Sequence, residues 1–431
     1  MKLELGTFEV ADVVISDKSE LAGGTLYVDV RKIRELVLED SNFSGVEVHL
    51  ARPGESTRIV NVLDVVEPRH KIAGPGRVFP GLLGPPTMVG SGRTHRLSGV
   101  TVIETSESLD GEPNFWRDSM LDMSGPGAEY NLFADKLNLV LEFEPKTEFS
   151  DEELERLALT NLNRGSAWVE HYHRSVRIAG LKVAEHLAEC TRDLEPDRLD
   201  TYELGPVDPE LPRVAYSCQV LFHLLYGEFL GSLPALVHPN ELMDGALVNT
   251  HNTVASTRDA THVLQNHPVV RELYDLHGKE LDFVGVLVYQ GQIKSQDDKE
   301  QSTDHALTAL QMMAVDGIVM TWTGAGNPGI DVMLLCQKCE QQGIKTTIIN
   351  TEMGLTPEDT GFVHFVPEAD AIVNAGNYEE TVTLPAVEEV IGGPKLMEPD
   401  LDAAGPLEVP LRYLHGSTNV MGASRLGGVR Y

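Results

Sequence analysis

The sequence predicts an α/β protein, with a β-rich N-terminal domain followed by a domain built on a mainly parallel sheet. Two patterns carry that prediction. In residues 1–145 apolar side chains recur at every second position between turn signals, the period of half-buried strands. In residues 211–400 short continuous apolar runs alternate with helix-like segments, as in strands covered on both faces by crossover helices. Residues 146–210 read as a helical connector and residues 401–431 as a C-terminal tail.

Local chemistry justifies each element in turn. The start, Met1 to Phe8, is acidic and alternating, which suits an early or edge strand. Thr25–Val30, Gly45–Leu50 and Gly99–Glu104 alternate in the same way, with a short helix expected near Arg31 to Glu39. Between Gly74 and Gly92 glycine and proline are too dense for a regular element, so this run is a candidate binding loop or a plain surface loop. At Phe149-Ser150-Asp151, Ser150 can cap a helix whose first turn is acidic, and helical patterning continues from Ala179 to Glu189. A polar stretch to Pro212 then leads into the buried strands Arg213–Tyr216, Asp282–Val288, Gly317–Thr321 and Lys345–Asn350. The tail from about Gly405 is strand-like and is expected to pack back on the first domain.

Composition bounds the function. The chain has 431 residues, 42% hydrophobic and 23% charged, enough for two or three cored domains. It lacks both a run of about 18 apolar residues and the opening of a signal peptide, so a cytoplasmic protein without a membrane span is expected. Lys and Arg total 34 against 66 Asp and Glu, a net charge of −32. Such a field repels phosphate backbones and anionic lipid, which argues against nucleic-acid and membrane-surface partners; its ordinary reading is solubility or adaptation to salt, and the functional alternative is steering of amine-bearing substrates or a basic partner face. Cys190, Cys218, Cys336 and Cys339 are few, as in a reducing compartment. The pair Cys336 and Cys339 has redox spacing but falls inside a helical pattern, away from the helix start where thiolates are stabilised.

Gly324-Ala325-Gly326-Asn327-Pro328-Gly329 follows a strand, opens a helix and has Glu352 at the end of the next strand, which spells the dinucleotide fingerprint. Pro328 suits the first turn of any helix, so a strand-to-helix turn beside a substrate pocket is preferred over an NAD(P) or flavin site. His223, His238, His251, His262 and His267 gather in the same region without metal-ligand spacing, and their ordinary reading is structural.

The most informative point is Asn252-Thr253. A β-hydroxyl residue after a strained peptide bond can attack the preceding carbonyl, and the freed terminus then supplies an amine base or, after elimination, an electrophilic carbonyl. Asn252 would give the scissile carbonyl, Thr253 the hydroxyl, and His251 is the nearest candidate base. The ordinary reading is a strand ending in a polar turn.

Segments along most of the chain accompany this point. They are Ala51-Arg52-Pro53-Gly54-Glu55-Ser56 with Arg58-Ile59, Val89-Gly90-Ser91-Gly92-Arg93-Thr94-His95, Asp122 to Tyr130, Met243-Asp244-Gly245-Ala246, Gln265-Asn266, Phe283-Val284-Gly285-Val286 and Gly326-Asn327-Pro328. Together they resemble the proprotein subunit of component B of the glycine, sarcosine and betaine reductases. The resemblance implies cleavage before a cysteine that becomes a pyruvoyl group, whose carbonyl captures the substrate amine. Thr253 stands at that position here. Three outcomes stay open: a 2-oxobutyryl group, a backbone-derived 2-oxoacyl centre; an N-terminal threonine nucleophile; or an uncut chain.

The resemblance further implies a hetero-oligomer in which this chain binds a small amine or amino-acid derivative for reductive carbon–heteroatom cleavage, while a partner subunit carries the thiol or selenol. Glycines at Gly90 and Gly92 expose backbone N–H groups and Arg93 offers a fork for a carboxylate. The candidate substrate-binding set is Arg52, Arg93, His95, Glu129 and Asn327. The competing readings are an uncleaved, non-catalytic binding or assembly subunit and an N-terminal threonine hydrolase.

Overall fold

The computed structural model describes residues 1–107, 119–146, 167–249, 251, 255–292, 294–324, 326–354, 362–394, 396, 401–424 and 426–428. The expected helix start at Ser150 lies outside the described residues, as do Asn252 and Thr253.

The alternating N-terminal segments form two four-stranded sheets. One has the order β8-β1-β5-β4, made of β1 (Lys2–Glu9), β4 (Arg69–Ala73), β5 (Gly92–Ser98) and β8 (Arg198–Glu203). The other has the order β2-β7-β6-β3, made of β2 (Phe43–Ala51), β3 (Val62–Val66), β6 (Val100–Ser106) and β7 (Leu137–Pro145). β3 and β6 are buried along their whole length, so they sit inside the molecule and not at a half-wet surface. The short helix α1 (Val30–Val37) starts where Asp29 accepts from the backbone N–H groups of Arg31 and Lys32, and it buries Ile33 and Val37.

Helix α2 (Ala167–Glu189) packs across β4 and β6, and its Tyr172, Val176, Leu181, Val183 and Leu187 share one apolar cluster with the strands. The packing therefore runs across residue 145: the helix of the connector is buried on the first domain, and β8 pairs antiparallel with β1 through Lys2–Thr7. A second cluster likewise joins Leu3, Val65 and Ile103 to Tyr216, Leu264 and Phe283.

The third tract is the α/β unit that the apolar runs predict. Its sheet has the order β10-β11-β9-β12-β13-β14-β15, with β9 (Arg213–Val220), β10 (Ala235–Val237), β11 (Asp282–Gln290), β12 (Gly317–Trp322), β13 (Lys345–Glu352), β14 (Ile372–Asn377) and β15 (Gly427–Gly428). Strands β9 and β11 to β14 pair parallel, and the two edge strands are antiparallel. Numbered by their own chain order the parallel strands run 2-1-3-4-5, so connections leave the first strand in opposite directions and open a crevice between the carboxyl ends of β9 and β12. The crossovers are α3 (Pro268–Leu276), α4 (Gln296–Met312) and α5 (Pro328–Gln341). Cys336 and Cys339 lie buried within α5, where burial pushes their thiols up to about 11 and about 12.

The C-terminal region is tied to the first domain by one buried arginine. Arg58 donates from Nε and Nη2 to the Asp122 carboxylate (2.6 and 2.9 Å) and from Nη1 and Nη2 to the carbonyls of Ala403 (2.8 Å) and Pro385 (3.1 Å). Both charges are within 1% of complete burial, so each depends on the other for solvation. Replacing Asp122 by Ala is expected to lower the unfolding free energy by about 3–5 kcal/mol in urea titrations, because the guanidinium stays buried without its counter-charge. The double variant Arg58→Met with Asp122→Leu should recover most of that loss.

Candidate functional site

Two buried polar clusters draw on residues that precede and follow 252–254 in the chain, one containing His251 and the other Asp259. The first is centred on Glu104, near the end of β6. Its Oε2 lies 3.1 Å from His251 Nε2, with both side chains fully buried. Arg177 on α2 donates from Nε to the Asn249 carbonyl at 2.8 Å. Asp64 on β3 accepts from the Thr261 N–H (2.8 Å) and hydroxyl (2.5 Å), and Thr261 Oγ1 in turn accepts from the Asn249 N–H at 3.2 Å. The chain on both sides of the candidate processing point is thus fixed by buried hydrogen bonds. His251 itself has φ +69°, a left-handed conformation uncommon for a side chain of its size.

Electrostatics assigns a proton to this cluster. Burial pushes the Glu104 carboxyl well above its ordinary value, the neighbouring Asp64 charge adds to the rise, and Arg177 opposes it. Burial lowers Arg177 to about 10 against the pull of Glu104 and Asp64, so it remains charged at neutral pH. One cation facing two carboxylates balances when one acid keeps its proton, and a protonated Glu104 donates it to His251 Nε2. The ligand atoms of Asp64, Glu104 and His251 lie within 4.8 Å of one another, a spacing that a metal ion could use. Arg177 already supplies the counter-charge there, which disfavours a divalent cation.

Glycine at position 180 makes room for the acid. A Cβ there would lie 2.0 Å from Glu104 Oε1.

The second cluster lies in the crevice between β9 and β12. Asp259 accepts from Thr323 Oγ1 and from Asn419 Nδ2 (2.6 Å), and His223 Nε2 stands 3.6 Å from its Oδ2. Burial holds the Asp259 carboxyl up to about 7, against Thr323 and Asn419, and holds His223 down to about 4. Nearby, His267 Nε2 and the Tyr216 hydroxyl are 2.9 Å apart, and burial depresses His267 to about 3.

The substrate-binding candidates are placed as follows. Arg52 donates to Asp12 (2.6 Å) and to the Val13 carbonyl (2.7 Å), and Arg93 to Glu4 (3.0 and 2.8 Å). His95 is buried against Phe8, with Nδ1 3.1 Å from the Thr191 carbonyl. Glu129 is exposed beyond a short turn after Asp122. Asn327 is at the crevice loop, where its carbonyl accepts from Lys299 Nζ at 3.2 Å. Of the candidates in the described residues, Asn327 lies in the loop after β12 at the carboxyl edge of the large sheet and His251 pairs with Glu104 of β6, whereas Arg93 and His95 lie in β5 and Arg52 just past the end of β2.

A groove of about 620 Å³ between α2 and β4, lined by His70, Arg77, Lys182 and Arg192 among others, lies elsewhere, and its Arg77, Lys182 and Arg192 are paired to Glu185, Glu39 and Glu189.

Sequence reasoning missed Glu104, Asp64, Arg177 and Asp259. The one available signal was the run Ser256-Thr257-Arg258-Asp259, four polar residues that are all buried.

Fold and site together define a doubly wound α/β protein with a buried proton-holding cluster beside a candidate processing point. The chain belongs to the glycine/sarcosine/betaine reductase component B subunits, whose family it matches over residues 1–427. It is 31% identical to the glycine reductase complex component B subunits alpha and beta of Acetoanaerobium sticklandii over 100% of both chains. It is 35% identical to the sarcosine reductase complex component B subunit alpha of Peptoclostridium acidaminophilum, covering 91% of this chain and 89% of that one. To the betaine reductase complex component B subunit alpha of the same organism it is 31% identical, covering 91% and 88%. No solved structure matches it. Among the described residues, no helix is long and apolar enough to cross a membrane.

Two outcomes follow from this packing. Gly180→Ala should cost about 1–3 kcal/mol in urea titrations, since the added methyl displaces a buried carboxyl. His267 is neutral in the fold down to about 3 but charges near 6.5 when unfolded, so its contribution is complete above the unfolded value and is lost as pH falls toward 3. His267→Gln should therefore flatten the pH dependence of unfolding free energy between pH 6 and pH 4 by about 1.4 kcal/mol per pH unit.

Proposed function

We propose that this chain is the substrate-binding subunit of a component B-type reductase complex, taking a small amine or amino-acid derivative and presenting it for reductive carbon–heteroatom cleavage. A partner subunit bearing a thiol or selenol supplies the electrons. The observation that carries the reading is the buried Glu104–His251–Arg177 cluster, which includes His251, the residue preceding Asn252 in the chain, and holds the Asn249 carbonyl.

The residues present fit a chain that modifies its own backbone. Attack of the Thr253 hydroxyl on the Asn252 carbonyl forms a C–O bond, breaks the C–N bond and requires a proton to leave oxygen and arrive at nitrogen. The His251–Glu104 pair shares one proton between the carboxyl and Nε2, and His251 is next in the chain to Asn252, which makes the pair the candidate for both transfers. Arg177 fixes the Asn249 carbonyl, which limits how far the segment can swing. Complete burial of Glu104 keeps bulk water from its carboxyl. Elimination of the Asn252 carboxylate from the resulting ester, then hydrolysis of the enamine by water with loss of ammonia, would leave a 2-oxobutyryl group at position 253, an electrophilic carbonyl for an amine.

The relatives named for glycine, sarcosine and betaine reductase support an amine of that size as the ligand. The cysteines do not suit the partner's role: Cys218, Cys336 and Cys339 are buried with thiols pushed up to between about 11 and about 12, and half-buried Cys190 is pushed up to about 11.

Intact mass under denaturing conditions, with and without a carbonyl-trapping reductant, tests the assignment. Fragments Met1 to Asn252 and Thr253 to Tyr431 are expected, the second shifted by the reductant. Unshifted fragments would instead mark a threonine nucleophile, and a single full-length mass an uncut binding subunit. His251→Ala is expected to slow fragment appearance by about 10²-fold or more while leaving the circular dichroism spectrum unchanged.

A further inference from the structure

The crevice at the carboxyl ends of β9 and β12 contains acceptors that the fold leaves unanswered. His223 lies just past β9, with Nδ1 3.2 Å from the Leu221 carbonyl. Donation of the Nδ1 proton to that carbonyl leaves the lone pair on Nε2, which is buried and has no hydrogen-bond partner among the described residues. Asp259 stands beside it with both oxygens turned to Thr323 and Asn419, each oxygen retaining a further acceptor position. Ser256, three residues earlier in the chain, has a buried hydroxyl that also lacks a partner among the described residues. Native folds rarely leave several buried polar atoms of one neighbourhood unpaired unless something else answers them.

The surroundings suit a ligand. In an open α/β sheet the strand order 2-1-3-4-5 creates its binding crevice between the first and third of these strands, here β9 and β12. The loop after β12 opens outward: a methyl group added at Gly326 would meet no atom within 4 Å. Asp259 also follows the candidate processing point by only six residues, with Ala255 and Ser256 pinned by the backbone N–H groups of Gly416 (2.8 Å) and Thr418 (2.9 Å).

We propose that this crevice is a subsite for the nitrogen of a small amine that carries N–H bonds, with Asp259 and His223 as the acceptors. The proposal rests on the reading of the chain as an amine-binding subunit and adds a selectivity to it. Acceptor atoms reward a nitrogen that can donate, as in a primary or secondary amine. A quaternary ammonium has no N–H to give and would leave His223 Nε2 and the hydroxyl of Ser256 unanswered while displacing water, at the cost of unpaired buried polar groups. Asp259 offers a carboxyl that takes up negative charge against a bound ammonium, and Thr323 and Asn419 hold it in place, so these two are positioning residues.

Calorimetric titration of the purified full chain with glycine, sarcosine and betaine tests this. Sarcosine and glycine are expected to bind at least about tenfold more tightly than betaine, and Asp259→Asn is expected to weaken sarcosine binding by about tenfold to a hundredfold. The comparison of amines on the unsubstituted chain needs no variant, so it stands even if Asp259→Asn fails to fold, and His223→Gln provides a milder second change. Betaine binding as tightly as sarcosine, or sarcosine binding undiminished in a folded Asp259→Asn chain, overturns the subsite and leaves the amine-binding role intact. Failure of all three amines to bind overturns both.

Discussion

The organising constraint is the solvation of charges that the fold has removed from water. Arg177 and Arg58 are both buried, each projecting into a place where segments remote in sequence meet. A guanidinium in such a position must be surrounded by carbonyls and carboxylates, which leaves little freedom in where those segments lie. Around Arg177 the surrounding groups are Glu104, Asp64 and the Asn249 carbonyl, drawn from β6, β3 and the approach to the processing point. The site is therefore a product of the packing of the first domain against the helix of the connector, and not of the α/β sheet alone.

The same logic accounts for the segments by which the family is recognised. Arg58 and Asp122, from two of them, form one ion pair. Asp244, from a third, accepts from Thr94 Oγ1 (2.6 Å) and the Gly90 N–H (2.8 Å) of a fourth. Arg69 binds the Gln265 carbonyl and the Asn266 side chain, both at 3.1 Å. Sequences scattered along the chain thus turn out to be the two halves of buried contacts. Their chemistry is shared scaffolding, which explains why they identified the family while Arg93 and Arg52 sit in ion pairs with Glu4 and Asp12.

Much of the fold was legible because periodicity records burial directly. The strands at Thr25, Gly45 and Gly99 lie where alternation put them, the short helix expected near Arg31 to Glu39 spans Val30–Val37, and the apolar runs became the parallel strands. β8 was hidden in a polar stretch because it is an edge strand with exposed and half-buried residues, so its pairing leaves no apolar trace. The site was less legible for a related reason. Glu104 closes a strand that alternates like its neighbours, and nothing in its letter distinguishes a carboxylate facing water from one facing Arg177. Burial of a charge is a tertiary fact, fixed here by α2 crossing β6 with glycine at position 180.

The placement of β9 has a consequence for any chain broken near residue 252. β9 comes from the N-terminal side of such a break, yet it is hydrogen-bonded on one edge to β11 and on the other to β12, both from the C-terminal side. The two pieces would share a single sheet in which the first supplies the interior strand β9 and the edge strand β10, and the tail returns to pair β15 with β14. Neither piece could diffuse away without dismantling the sheet, so scission would create new chain ends without creating two proteins. A chain with this weave, if broken there, would keep its sheet whole and lose only one covalent bond.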